Sequence, residues 1–373
     1  MRAAGRAKLI ALLVMATVTA GMTIEAGTAS ASGVDRARPA DFSTSAGALS
    51  AIAMTSGSNG WAVGSTLAIN SGPLILHWDG STWTQVKLPP LSGGFLSAIA
   101  ANSARNAWAV GAIGAKNLIL HWNGVRWSRI RCPSPRGNEG LISVTVTRSG
   151  AAWAVGSRNT RGGGVDVILR WIGGKWKVAA NPAPTSAGLP AGAGLLEGVA
   201  AASDRDAWAI GMGAPGFWTV AARWNGSVWR QAPMPNIQGG VLAAVTMAPH
   251  GDAWAVGVVE GNAKHSVLIM HWNGHSWRRV KSPDPPGAVL RSVTALRDGS
   301  AWAVGYTAAA TSFILHWNGH SWRHVASPEF TVAGSSEDNL AGVSAISSAN
   351  AWAAGYTGGG GGLILRWDGS RWH

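Results

Sequence analysis

From about residue 45 to the last residue, short apolar runs alternate with polar turns. Each cycle begins with an apolar, partly β-branched run such as Leu49-Ser50-Ala51-Ile52-Ala53 or Leu290-Arg291-Ser292-Val293-Thr294-Ala295. A polar turn follows, for example Asn102-Ser103-Ala104-Arg105-Asn106, and then a Trp-Ala-Val-Gly segment. The third run has the form Leu74-Ile75-Leu76-His77-Trp78, and it ends in Asp-Gly or Asn-Gly, as at Asp79-Gly80 and Asn123-Gly124. Apolar runs this short, bounded by turn residues, predict strands and not helices. Asn-Gly and Asp-Gly admit positive φ and predict a hairpin turn between the third and fourth strands. The fourth run opens on Trp and is expected to run to a proline, as in Trp277-Arg278-Arg279-Val280-Lys281-Ser282-Pro283, because proline cannot donate to a strand ladder.

The cycle recurs seven times. The first Trp of each unit is Trp61, Trp108, Trp153, Trp208, Trp254, Trp302 or Trp352. The second is Trp78, Trp122, Trp171, Trp224, Trp272, Trp317 or Trp367, and the third follows five residues later, from Trp83 to Trp372. Of the 22 Trp in the chain, only Trp218 stands outside this register. Four strands per ~40–50 residues is the blade period of a β-propeller, and seven blades fall within the usual range. The pattern therefore predicts an all-β, seven-bladed β-propeller of four-stranded antiparallel blades over residues 45–373. A buried Trp removes roughly 150–250 Å² from water, so three per blade can seal the gaps between blades without disulfides. The last unit stops at Trp372-His373, with its fourth strand at most begun. An open edge invites aggregation, so an N-terminal strand near residues 40–46, at the end of the segment 32–44, is expected to close the ring.

The first 31 residues read as a secretory signal. Arg2, Arg6 and Lys8 precede the apolar run Leu9 to Ala20, and Ala29-Ser30-Ala31 fits a cleavage site. No Cys follows the apolar run to carry a lipid, and no stretch reaches the ~20 apolar residues of a membrane span. An exported, secreted protein is expected. The single Cys, Cys132, excludes an intramolecular disulfide framework and multi-Cys metal sites. Charge is +13 overall and +11 once the leader is gone. Arg dominates the basic residues, which with abundant Ala and Gly points to a bacterial genome rich in G and C.

The Trp-Ala-Val-Gly unit, followed by an apolar strand and (Asn/Asp)-Gly-x-x-Trp, resembles the repeats of secreted bacterial β-propellers of the kelch-like and sialidase-like kind. The sialidase Asp-box places its Asp two residues before the Gly, whereas Asp79 is adjacent to Gly80, so the box is degenerate. Kelch blades carry a Gly-Gly pair and a Tyr–Trp pair, and this chain has two Tyr.

Those resemblances bring two chemistries into view. A sialidase-like enzyme needs an Arg cluster, a Tyr nucleophile and a Glu, and a kelch-like copper oxidase uses two Tyr, two His and a Cys. Tyr306 and Tyr356 occupy equivalent positions of adjacent repeats, which reads as structure. His77, His121, His271 and His316 precede a strand Trp, and Arg170, Arg223 and Arg366 fill the same slot elsewhere. A structural hydrogen-bonding position tolerates that exchange, and a metal ligand does not. No cofactor and no metal site is expected. Departures from the repeat register, on the loops of one face, are the better ligand-binding candidates: Trp218, Arg158, Arg161, Lys264, His265, Tyr306 and Tyr356. The chain is expected to be a monomeric, non-catalytic binding or scaffold module for a protein or a cell-surface glycan, with anionic partners favoured by the charge. A secreted carbohydrate-active enzyme is the alternative. The Arg residues are scattered through the repeats with no single basic run, so nucleic acid is not an expected partner.

Overall fold

The computed structural model describes residues 47–373 apart from 67–70, 92, 134–137, 161–162, 180–193, 214–216, 249–250, 262–264, 329–337 and 359. Seven consecutive antiparallel sheets form blades at 47–85, 95–129, 138–178, 194–231, 240–279, 289–325 and 338–373. Every blade is wound in chain order from its innermost first strand to its outermost strand, and among the described residues no blade takes a strand from another. In blade seven the fourth strand is only begun. Trp372 bridges Trp367, and Arg366 and His373 exchange backbone hydrogen bonds of 2.8 and 3.0 Å. The first strand of each blade packs on that of the next, and that of blade seven, Asp338–Ser347, packs on that of blade one, Gly47–Ser56. The ring is therefore closed, and the molecule is a seven-bladed β-propeller. The closing strand expected near residues 40–46 lies outside the described residues. Within them, closure is by packing. The Met54 N–H donates to Ser344 Oγ at 3.0 Å, and Leu49, Leu74, Trp78 and Trp83 form one apolar cluster with Trp352 and Ala354.

The three Trp of each repeat meet across blade boundaries. At six of the seven junctions the first Trp of one blade is covered by the second Trp of the next and touched edge-on by its third; between blades three and four Trp153 and Trp224 stand 6.4 Å apart with the Arg170 guanidinium over both rings. Trp61 lies 5.0 Å from Trp122 and 5.2 Å from Trp127, the latter at 89°. Trp302 repeats this with Trp367 and Trp372. Trp352 closes the circle on blade one, 4.9 Å from Trp78 and 5.7 Å from Trp83. The residue before the second Trp lies flat against the first Trp of its own blade. His121 stacks on Trp108 at 4.0 Å and His271 on Trp254 at 4.2 Å, while the Arg170 and Arg366 guanidinium groups lie 5.0 and 5.2 Å over Trp153 and Trp352. His and Arg interchange there because both offer a flat polar group that stacks on a ring. Burial lowers the pKa of His77, His121, His271 and His316, which favours their neutral, stacking form.

The glycine of the Trp-Ala-x-Gly motif has a steric cause. Each first strand carries a β-bulge, so that one residue falls between Leu49 and Ala51, Leu196 and Gly198, or Leu290 and Ser292. The bulge presses a carbonyl onto the facing residue of the second strand. A Cβ on Gly64, Gly111, Gly156, Gly211, Gly257, Gly305 or Gly355 would lie well inside van der Waals contact of the carbonyl oxygen of Ala48, Phe95, Gly140, Leu195, Val241, Val289 or Asn339.

The Asp-Gly and Asn-Gly turns form hairpins with four residues in the loop. Trp78 pairs with Trp83 around four residues, and Asp79 Oδ1 accepts the N–H groups of Ser81 and Thr82 at 2.8 Å while only Gly80 has positive φ. Gly173-Gly174 in blade three, both at positive φ between the paired Ile172 and Lys175, is a two-residue turn. The fourth strands are shorter than expected. Trp277–Arg279 ends well before Pro283, because an outermost strand has a neighbour on one side only.

These outer strands collect the charge that looks scattered in sequence. From the turn after the second Trp to the fourth residue after the third, blades one to three carry Lys87; Arg126, Arg129 and Arg131; and Lys175 and Lys177. Blades four to seven carry Arg230; Arg278, Arg279 and Lys281; Arg323; and Arg371. All twelve are exposed, and Asp79 and Asp368 are the only carboxylates in the same segments.

Candidate functional site

First strands begin, and second strands end, at one end of the ring, which also carries the loops between second and third strands. Every described candidate read from the sequence belongs to this end. Trp218 is the first residue of a strand, Trp218–Trp224, and not part of a loop; it pairs with Gly213, and its half-buried indole covers that glycine. Phe217 before it holds φ at 51°, in the region that favours glycine. Arg158 is half-buried in the second strand of blade three, opposite Val165 and Glu139 in the ladder. His265 is exposed beside the third strand of blade five. Arg161 and Lys264 lie outside the described residues. Tyr306 and Tyr356 are half-buried equivalents at the ends of the second strands of blades six and seven.

The structure adds two residues that the register hides. The bulge position lies fourteen residues before the motif glycine in every blade: Ser50, Ser97, Ile142, Glu197, Ala243, Arg291 and Ala341. A bulge re-aims its side chain. Five of the seven are small or apolar, and the two charged ones are opposite in sign. Glu197 is 7 % exposed, and Arg291 is half-buried with its guanidinium 5.8 Å over the Tyr306 ring. Glu197 belongs to blade four and Arg291 to blade six, with blade five between them, and the Arg291 charge acts on Glu197 across that separation. No direct ion pair joins them among the described residues. Asp166 of blade three adds a second carboxylate beside Glu197, where its Oδ1 accepts the Leu196 N–H at 2.8 Å. Asp338, also buried, opens the inner strand of blade seven.

Burial is the largest influence on Glu197 and raises its pKa to about 7; Arg291 opposes the rise and Asp166 adds to it. Between pH 4.5 and 7 the folded chain therefore keeps a proton that the unfolded chain has released. Stability falls with rising pH across that window by up to about 1.4 kcal/mol per unit, and by about 3 kcal/mol in all. Glu197→Gln removes this dependence. Its stability relative to wild type should be unchanged near pH 4.5 and should rise by roughly 3 kcal/mol by pH 8, read from denaturant midpoints across pH. A difference that does not vary with pH would show that Glu197 ionises freely in the fold.

Among the described residues no group of three or more His, Cys, Asp or Glu is arranged to hold a metal ion, and no helix is long and apolar enough to cross a membrane. Cys132 is half-buried, with its Sγ 3.7 Å from the Asn117 carbonyl oxygen.

No family model and no curated protein sequence matches the chain. Solved structures do. YCF48 bound to D1 peptide superposes with a TM-score of 0.54 at 16% identity, over 86% of this chain and 92% of that one. PorZ, an essential bacterial surface component of the type-IX secretion system of Porphyromonas gingivalis, gives 0.51 at 13% identity, over 84% of this chain. The extracellular domain of BT4673 from B. thetaiotaomicron gives 0.50 at 10% identity, over 86% of this chain. The chain spans less than half the length of the latter two, 46% and 38%. At such identities the likeness is one of fold, the β-propeller.

Proposed function

We propose that the protein is an exported, non-catalytic binding propeller that recognises a protein segment at the end of the ring holding Arg291 and Tyr306. The observation that carries this reading is the pair of charged side chains at bulge positions of the inner strands, where the other five blades have small or apolar residues. Arg291 is half-exposed, stacked and without a direct ion pair among the described residues, so its guanidinium can take a carboxylate in a two-pronged hydrogen-bonded pair. Tyr306 and the half-buried Trp218 supply flat faces of the kind that dominate protein recognition. YCF48 bound to a peptide and PorZ at a bacterial surface are propellers that accord with such a role. The degenerate Asp-box and kelch-like kinship belongs to the same proposal, in a secreted bacterial setting.

The test is a displayed peptide library, screened against the purified chain from Ser32 and against Arg291→Met. Enrichment of peptides bearing an acidic residue, lost in Arg291→Met, supports the reading. Enrichment that the variant keeps, or release of sugar from a glycan panel by the wild type, overturns it, the second in favour of a carbohydrate-active enzyme.

A further inference from the structure

The basic rim is a feature that the binding end does not use. Twelve Lys and Arg on the outermost strands and their turns face solvent against two carboxylates, Asp79 and Asp368. The turns between first and second strands, at the opposite end of the ring from Arg291, are mixed in sign: Arg105, Arg205 and Arg297 stand among Asp204, Asp206 and Asp298. Solubility needs charge of either sign, and an outermost strand is kept from pairing with another molecule by one or two charges. Neither need accounts for a belt of one sign around the circumference while the end turns stay balanced. On an edge strand, neighbouring side chains point to opposite sides, so Arg278 and Arg279 present cations on both flanks of one blade edge. Blade six, which adjoins it, adds Arg323.

We infer that the outer rim is a docking belt for a linear polyanion, a polymer of repeated sulfate or phosphate charges, centred on Arg278, Arg279 and Arg323 of blades five and six. A flexible chain of closely spaced anions follows the circumference and releases its counterions to the rim cations as it binds. Affinity then falls steeply with salt, by about one unit of logarithmic slope per contact. The belt leaves the axial end free, so a polymer on the rim and a protein segment at Arg291 can be held together.

The experiment uses the chain from Ser32 with heparin and, separately, a poly(glycerol phosphate), followed by intrinsic Trp fluorescence over a salt series. The rim variant is Arg278→Glu/Arg279→Glu/Arg323→Glu, and Arg105→Glu/Arg205→Glu/Arg297→Glu is matched to it in charge. The rim variant is expected to lose more than tenfold in affinity at low salt and about three units of slope, and the matched variant less than threefold. The polymer that binds more tightly at equal charge identifies the sulfated or the phosphodiester source. Equal losses in the two variants, or no saturable binding by the wild type, overturn the belt. Light scattering verifies that the rim variant stays monodisperse, and Arg278→Gln/Arg279→Gln/Arg323→Gln, with a smaller loss in the same direction, covers a failure of the reversal to fold. Arg291 is untouched throughout, so the belt and the peptide reading fail independently.

Discussion

Replacing Gly305 by alanine should unfold the protein or lower its stability by more than about 3 kcal/mol, although the change adds one methyl group. The new Cβ would meet the carbonyl oxygen of Val289 and lie 2.9 Å from Leu290 Cα. Both obstacles are backbone, so no rotamer change relieves the clash. Either the second strand lifts from the first, or the bulge that holds Arg291 in place straightens and the first strand slips. Gly72→Ala is the internal control, since nothing lies within 4 Å of a Cβ built there and its backbone carries no unusual φ. That variant should be neutral or gain a few tenths of a kcal/mol through the unfolded chain. Denaturant unfolding of the two proteins side by side decides the matter. A Gly305→Ala protein within about 1 kcal/mol of wild type would mean that the bulge is soft, and the explanation of the motif would fall.

Trp352→Ala should cost about 3–5 kcal/mol, the range of a large aromatic lost from a packed core. Trp352 is 4% exposed and fills the junction between the last blade and the first, against Trp78 and Trp83. Trp302→Ala, at the junction of blades six and seven, is the comparison, because the same triad forms there with Trp367 and Trp372. The two losses should agree within about 1 kcal/mol. A much smaller loss at Trp352 would show that something other than the Trp triad holds the first and last blades together.

The architecture was legible because the same pattern is written seven times, so the noise of any single repeat averages out. The Trp positions marked strands and blade boundaries alike, and the exchange of His121 for Arg170 along one slot marked a structural position, read as a hydrogen-bonding one, where the structure shows that both also lie against a Trp ring. The bulge was not legible, since one extra residue changes the pairing without disturbing the apolar pattern that surrounds it. Its trace was present all the same, in a glycine that never varies and in the residue fourteen places before it. Reading that position across the repeats singles out Glu197 and Arg291, which a search for paired carboxylates or nucleophiles passes over. Trp218 was visible as an exception to the register, but its place in a strand over Gly213 depends on a ladder that composition does not encode. The rim was illegible for a geometric reason. One or two cations per repeat look dispersed along a line, and winding the line into a ring superposes them.

Each blade is built of consecutive strands, the fourth of blade seven only begun, and the junction that shuts the circle uses the same three indoles as five of the other six. Among the described residues the circle thus has no clasp. Six like seams share any load with one that differs, between blades three and four, where Arg170 lies between Trp153 and Trp224. A whole repeat gained or lost by duplication would leave every remaining seam chemically intact, and only the angle between neighbours would have to adjust.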